Sequence, residues 1–132
     1  SDAIVSQLDL LSSIAQLVGS EVRTPDSEPM LEVLMGNSYQ GRTALVLEAT
    51  SRTAFRKGDW VMIPPYKGPA VNEKVQIELG NDSEFQLFNL VNDIGQQNNL
   101  AKANPDKLKE MLNAFEVIRG KGYSKTQKLE LK

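Results

Sequence analysis

Phe85-Gln86-Leu87-Phe88-Asn89-Leu90-Val91-Asn92-Asp93-Ile94-Gly95-Gln96-Gln97-Asn98-Asn99-Leu100, followed by Ala101 to Met111 (AKANPDKLKEM), holds three consecutive kinds of structure. Phe85–Leu90 reads as a strand, with Phe85, Leu87 and Asn89 on one face and Phe88 and Leu90 on the other. Residues 92–99 are rich in amides and hold one carboxylate, Asp93, the composition of a turn whose side chains bond their own backbone. Asn104 then caps a helix and Pro105 supplies its first turn. Leu108, Met111, Leu112, Phe115 and Ile118 form its apolar stripe at i, i+3, i+4, i+7 and i+10. Gly120 ends the helix, and Arg119 and Lys121 suit the negative end of its dipole.

Working back toward the N-terminus, three more strands are expected: 44–49, 53–56 and 60–63. Lys57-Gly58-Asp59 makes the tight connection between the last two, and Pro64-Pro65 stops the run. Between residues 66 and 84 only Val75–Leu79 has strand character. Earlier still, Leu8, Leu11, Ile14, Ala15 and Val18 recur at helical spacing. They predict a helix over Asp9–Val18, with Ser6 or Asp9 as cap and Gly19 just past the end. Residues 21–28 have loop composition. A short helix over Met30–Met35 follows, with Ser27 as its cap, Pro29 in its first turn and Gly36 as its stop. The expected fold is α+β: a small antiparallel sheet of about four strands with the C-terminal helix packed on one face, preceded by one or two short helices.

Composition bounds the chemistry. The 132 residues contain no Cys and no His, which removes thiol nucleophiles, disulfides, Cys or His zinc sites and Ser-His pairs. One domain of this size buries roughly two-thirds of the surface its unfolded chain exposes. Apolar residues at 40% and charged residues at 24% are ordinary for a globular protein. A net charge of −2 gives no electrostatic reason to expect a nucleic acid or anionic membrane partner. No apolar run approaches the ~20 residues of a membrane helix. The chain opens on Ser1-Asp2-Ala3 without an initiator Met, as expected of a processed chain or an expressed fragment.

Several motifs invite a chemical reading. Gly36–Thr43 has P-loop spacing with Arg42 in place of Lys, but a helix precedes it and a strand follows, the reverse of a phosphate-binding loop. A connecting loop is the better reading. Trp60, the sole tryptophan, has the chemistry to stack on a sugar; beside Val61 and Ile63 on a strand it reads as core. Residues 92–99 have too few carboxylates for calcium. Asp9, Asp26, Asp59 and Asp93 each stand at a helix start or turn, where local hydrogen bonding favours Asp. Asn81-Asp82-Ser83 is a formal glycosylation sequon, meaningful only in a eukaryotic secreted protein.

Two stretches carry a family resemblance. Gln86–Leu90, the turn through Leu100 and the helix opened by Asn104-Pro105 resemble the closing segment of the sulfatase family. There an "ELYNL"-like strand, a "D-P-x-E-x-x-N-L" turn and a last helix follow one another; Ile94 and Gln96 stand here for the Pro and Glu. Arg56-Lys57-Gly58-Asp59-Trp60 is similar to the "R-x-G-D-W" strand pair that precedes it. More weakly, Val5–Leu11 resembles a "v-s-x-v-D-l-l-P-T-l" helix near the end of the large sulfatase domain, with Ser12-Ser13 for Pro-Thr, and Asp26–Gly36 a "D-G-x-S-l-l-p-x-L-x-G" stretch.

The resemblance implies three parts: residues 1–42 as the helical end of the large domain, 43–122 as the C-terminal sheet-plus-helix subdomain, and 123–132 as a charged tail or an added strand through Lys128–Leu131. It implies a sulfuric ester hydrolase whose formylglycine and calcium lie in a catalytic domain outside these residues. No catalytic, cofactor-binding or metal residue is expected in this chain. Ser27-Glu28-Pro29-Met30-Leu31 is superficially similar to the formylglycine signature, but Leu31 stands where its Arg must be. The chain itself is then expected to be a non-catalytic subdomain that packs on the catalytic domain and borders the substrate cleft. Arg52, expected in the turn between the first two strands, is the one candidate for bordering a sulfate or carboxylate; a solvated hairpin arginine is the plain alternative. Without its native partner the first helix is expected to self-associate. A periplasmic or extracellular location is also implied. An independent glycan-binding or oligomerisation module is the rival reading.

Overall fold

A computed structural model describes residues 1–22, 24–49 and 52–119. The chain divides into two compact units, Ser1–Leu45 and the residues from Val46 onward.

The first unit contains α1 (Asp9–Leu17) and α2 (Leu31–Leu34). Val18 caps the C-terminus of α1 and Gly19 follows with φ +70, the left-handed conformation that a glycine adopts without a Cβ clash. The expected apolar face of α1 is reversed. Asp9, Ser12, Ser13 and Ala15 are buried, whereas Leu11, Ile14 and Val18 are 53%, 56% and 71% exposed. Periodicity identified the two faces but not which one points inward. Hydrogen bonding accounts for the inward choice: Ser13 Oγ donates to the Asp9 carbonyl at 2.6 Å and accepts from the Met30 N–H at 2.9 Å. Ser27 does not cap α2, as the sequence suggested; its Oγ accepts from the Ser12 N–H at 3.0 Å.

The second unit is built on a sheet of order β1-β2-β3-β6: β1 (Ala44–Ala49), β2 (Arg52–Lys57), β3 (Trp60–Ile63) and β6 (Gln86–Asn89). β2 and β3 pair antiparallel through Lys57↔Trp60, and Gly58, with φ +56, opens the two-residue turn between them. β3 and β6 also pair antiparallel, with Val61↔Phe88 and Met62↔Leu87. Phe55, Met62 and Leu87 therefore form one cross-strand row, and all three are fully buried. α3 (Pro105–Arg119) covers this face with Met111 and Phe115, the Phe115 ring lying 5.6 Å from that of Phe55. Val61 and Phe88 are buried on the opposite face. This is the expected α+β arrangement, with the helix on one side of a four-stranded sheet.

Three local expectations change. Residues 75–79 do not make one strand; β4 (Val71–Asn72) and β5 (Ile77–Glu78) pair as a separate two-stranded hairpin. Trp60 is half-buried, lying beneath Lys107 Nζ at 5.6 Å from the ring centroid. Ile118, at the end of the expected stripe, is 58% exposed. The helix stop at Gly120 and the tail or strand in 123–132 lie outside the described residues.

Candidate functional site

Arg52 is the first residue of β2, not a turn residue as the sequence suggested. Its side chain borders a cavity of about 440 Å³ in the second unit, between the start of β2 and the β4–β5 hairpin. The volume falls within the ~300–1,000 Å³ usual for small-molecule sites. Ala54, Ile63, Ile77 and Leu79 supply an apolar lining, and Arg52 and Tyr66 are among the polar groups beside it.

Both polar groups are held from behind. Arg52 Nε donates to Asn81 Oδ1 at 2.5 Å, and Asn81 Nδ2 donates to the Pro69 carbonyl at 2.6 Å. Tyr66 Oη accepts the Thr53 N–H at 2.6 Å and lies 2.6 Å from Thr53 Oγ1. The Tyr66 N–H in turn donates to the Asp82 carbonyl at 2.8 Å. Such support fixes the direction of a guanidinium before any ligand arrives. A fixed planar cation beside an apolar wall can pair with a sulfate or carboxylate on a sugar-sized molecule. The sequon residue Asn81 has its side chain in this support.

The strongest electrostatic feature is in the first unit, and sequence reasoning missed its cationic half. Arg42 bonds the Asp9 carboxylate through Nε at 2.9 and 3.1 Å and through Nη2. Its Nη1 meets Glu28 Oε1 at 2.9 Å, and Nη2 also donates to the Asp26 carbonyl at 2.6 Å. The Ser6 and Glu28 N–H groups complete the Asp9 shell at 2.8 and 3.0 Å. Hydrogen bonding from Arg42 outweighs desolvation and holds the Asp9 carboxyl at about 2, and Asp9 in turn raises Arg42. With every strong donor turned inward, this cluster is a structural clasp. Arg42 in the P-loop-like segment is consumed by it.

Asp93, by contrast, is engaged locally. Asp93 accepts the Gln97 and Asn98 N–H groups at 3.0 and 2.8 Å, which lowers its pKa. Asn99 Oδ1 accepts from Leu87 and Ala101, and its Nδ2 donates to the Phe85 carbonyl. These amides act as turn caps. Among the described residues no group of three His, Cys, Asp or Glu gathers in a way that could hold a metal ion. Ser27, the pseudo-signature serine, has its Oγ engaged by the Ser12 N–H.

No protein-family model matches the chain. An N-acetylgalactosamine-6-O-sulfatase of Bacteroides thetaiotaomicron is 35% identical over 121 residues, 89% of this chain and 24% of the relative. A structure solved in work on the metabolism of multiple glycosaminoglycans by the same organism superposes with a TM-score of 0.81. It has 33% identity and covers 89% of this chain and 25% of that one. The chain corresponds to the C-terminal portion of a sulfatase. A 2-O GAG sulfatase shares the fold with a TM-score of 0.62 at 18% identity, over 93% of this chain and 27% of its own. The chain thus spans about a quarter of the length of these sulfatases. The sheet, its covering helix and the short helices are those of the C-terminal sulfatase subdomain.

Proposed function

We propose that this chain is the non-catalytic C-terminal subdomain of a sulfatase that removes sulfate from a glycan, with 6-O-sulfated N-acetylgalactosamine as the leading substrate class. The observation that carries this reading is the 35% identity over 89% of the chain to a protein of that activity, of which the chain spans only 24%. The sequence has no Cys or His, and its one signature-like stretch, Ser27–Leu31, has Leu31 where the formylglycine signature requires Arg, which supports a non-catalytic role. Formylglycine would supply the nucleophile and calcium would orient the sulfate. Both belong to residues outside this chain, and no step of the reaction is assigned to residues within it.

The chain's own contribution is to pack on the catalytic domain and, through Arg52, to border the substrate. A periplasmic or extracellular location accords with a glycan substrate. The test is an assay of the full-length protein and of the 132-residue chain on 6-O-sulfated N-acetylgalactosamine with calcium present. Turnover by the first and none by the second is expected; turnover by the 132-residue chain would overturn the non-catalytic role. The cavity beside Arg52 favours a second reading, an independent glycan-binding module. Binding of sulfated glycan by a full-length protein without sulfatase activity would select it.

A further inference from the structure

The β4–β5 hairpin is fastened at its base. The Leu79 N–H donates to the Ala70 carbonyl at 2.7 Å, Asn81 Nδ2 to the Pro69 carbonyl at 2.6 Å, and Gln86 Nε2 to the Gly80 carbonyl at 2.8 Å. Beyond that base, the hydrogen bonds of residues 71–78 among the described residues stay within the hairpin. The two strands pair with each other, Asn72 Oδ1 accepts the Lys74 N–H at 3.1 Å, and Gln76 Nε2 donates to the Glu73 carbonyl at 2.8 Å. Asn72 and Ile77 are opposite one another in this pairing, and both line the cavity of about 440 Å³ beside Arg52. Ile77 is nonetheless 58% exposed. The hairpin thus stands over the cavity as a roof with an apolar side chain on its underside.

The two walls differ in chemistry. Opposite the hairpin stand Arg52, Ala54 and Ile63. Glu78 also borders the space, but it pairs with Val71, and alternation along a strand puts that pair on the other face of the ribbon from Asn72 and Ile77. A side chain at Gly68 would begin 3.6 Å from Arg52 Nη2, so glycine there keeps that flank of the guanidinium clear. A molecule between the walls meets a planar cation and, above and below, aliphatic side chains. A pyranose with an acidic substituent matches both, through the C–H groups of a ring face and through a carboxylate or sulfate ester that pairs with guanidinium by parallel hydrogen bonds. A bare inorganic anion would leave the aliphatic walls in water, and a neutral sugar would make no use of the cationic charge.

Resting on the reading of the chain as part of a glycan sulfatase, we infer that this space binds an acidic pyranose unit, its carboxylate or sulfate on Arg52 and its ring beneath Ile77, and that Ile77 and Asn72 are specificity-determining residues. The Lys74 N–H holds Asn72 Oδ1, so Nδ2 is the end of that amide which meets a ring hydroxyl. Because its fastening to the unit is at the base, the hairpin can lean onto the ring and bury Ile77 against it. Arg52 selects for negative charge, and the hairpin selects for a ring that carries it.

The test uses the full-length protein with its isoleucine δ1 methyl groups labelled for NMR. Ile63→Val and Ile77→Val assign the two cavity methyls, and Ile94, 87% exposed and outside the cavity, is the internal reference. Titrations use glucuronate, N-acetylgalactosamine 4-sulfate, galactose and inorganic sulfate. Saturable shifts at Ile63 and Ile77, with Ile94 unmoved, are expected for at least one of the two acidic sugars, with an affinity about tenfold or more above that for galactose or inorganic sulfate. Which of the two responds decides between a carboxylate and a sulfate ester. Ile77→Ala, read at Ile63, should weaken that sugar about fivefold or more with Tm unchanged. Absence of the shifts, equal affinity for galactose or inorganic sulfate, or undiminished affinity in Ile77→Ala overturns the inference. Desulfation of 6-O-sulfated N-acetylgalactosamine is assayed on the same preparation. Turnover without the shifts defeats the cavity assignment alone, while Ile77-dependent binding without turnover or an upstream formylglycine signature upholds that assignment and defeats the sulfatase reading on which it rests.

Discussion

The Asp9 carboxylate and the Arg42 guanidinium, separated by 33 residues in the chain, form a buried ion pair that ties the start of α1 to the end of its unit. Asp9 is lowered from 3.8 to about 2, mainly by hydrogen bonding from Arg42. A folded-state pKa below the unfolded one means that the stabilisation is fully present above about pH 4 and is lost as pH falls through about 2. The size implied by that shift is about 2 kcal/mol. Asp9→Asn is expected to lower stability at pH 7 and to remove this portion of the acid limb. Arg42→Ala should cost more at pH 7, about 3–5 kcal/mol, because it leaves the carboxylate buried without its cation. Urea unfolding midpoints between pH 2 and 7 check both, and an unchanged acid limb in Asp9→Asn would refute the linkage.

Gly41 lies against the backbone of Ile4, and a Cβ built on it would meet the Ile4 carbonyl oxygen and approach its nitrogen to 2.7 Å. The Arg42 N–H donates to the same Ile4 carbonyl at 2.8 Å, so the two segments cannot separate without losing that bond. Gly41→Ala is expected to destabilise by about 2 kcal/mol or more, whereas Gly36→Asn should cost less. Gly36 has φ +80 and open space around it, a setting in which Asn is tolerated. Thermal unfolding of the two variants gives the comparison.

The parts legible in the sequence were those whose determinants are local. Lys57–Trp60 announces its hairpin by a glycine between alternating strands, and Asn104-Pro105 announces α3. Phe55, Met62 and Leu87 belong to runs whose period already matched a sheet. What escaped depends on distant pairing. Nothing near Arg42 signals Asp9, and without that pair the side of α1 facing inward cannot be read from periodicity. Ser27 likewise could cap α2 by position, but Ser12 from α1 claims its hydroxyl. Arg52 was singled out as a turn residue. Its placement on β2, backed by Asn81 and beside a cavity, depends on the hairpin at residues 71–78 that the apolar pattern did not resolve.

Asn99 closes the outer edge of β6 by supplying side-chain atoms where another strand would supply backbone. Its Oδ1 accepts the Leu87 N–H at 3.1 Å and its Nδ2 donates to the Phe85 carbonyl at 3.1 Å. The Leu100 N–H continues the pairing to the Leu87 carbonyl at 2.8 Å. Asn99→Ala should destabilise by about 1–3 kcal/mol, since it removes three bonds at once and leaves the Leu87 N–H beside a buried core residue. Asn99→Asp keeps the acceptor and loses the donor, so it should fall between. Faster amide exchange at Leu87 in the alanine variant would locate the effect.

The outward face of α1 predicts how the 132-residue chain behaves alone. With Leu11, Ile14 and Val18 exposed, it should self-associate as concentration rises. Replacing Leu11 and Ile14 by Lys should restore a monomer without disturbing Asp9 or Ser13 on the inner side. Light scattering across a concentration series decides the matter. A wild-type chain that stays monomeric throughout would count against an adhesive face.

Arg52 offers the sharpest separation of substrate contact from support. In the full-length protein, a guanidinium that borders bound substrate should influence KM more than kcat, because it would hold the ground and transition states alike. Arg52→Ala is expected to raise KM about tenfold or more, the scale of one charge-assisted hydrogen bond of ~1.5–3 kcal/mol. Arg52→Lys keeps the charge but not the planar fork, and should recover part of the loss. Because Arg52 also bonds Asn81, a structural effect must be told apart. Asn81→Ala removes that bond and the one to Pro69 while leaving the guanidinium in place. If Arg52→Ala raises KM with little change in Tm, and Asn81→Ala lowers Tm with a smaller rise in KM, Arg52 contacts the substrate. Parallel changes in both variants would reduce it to a residue that holds the hairpin.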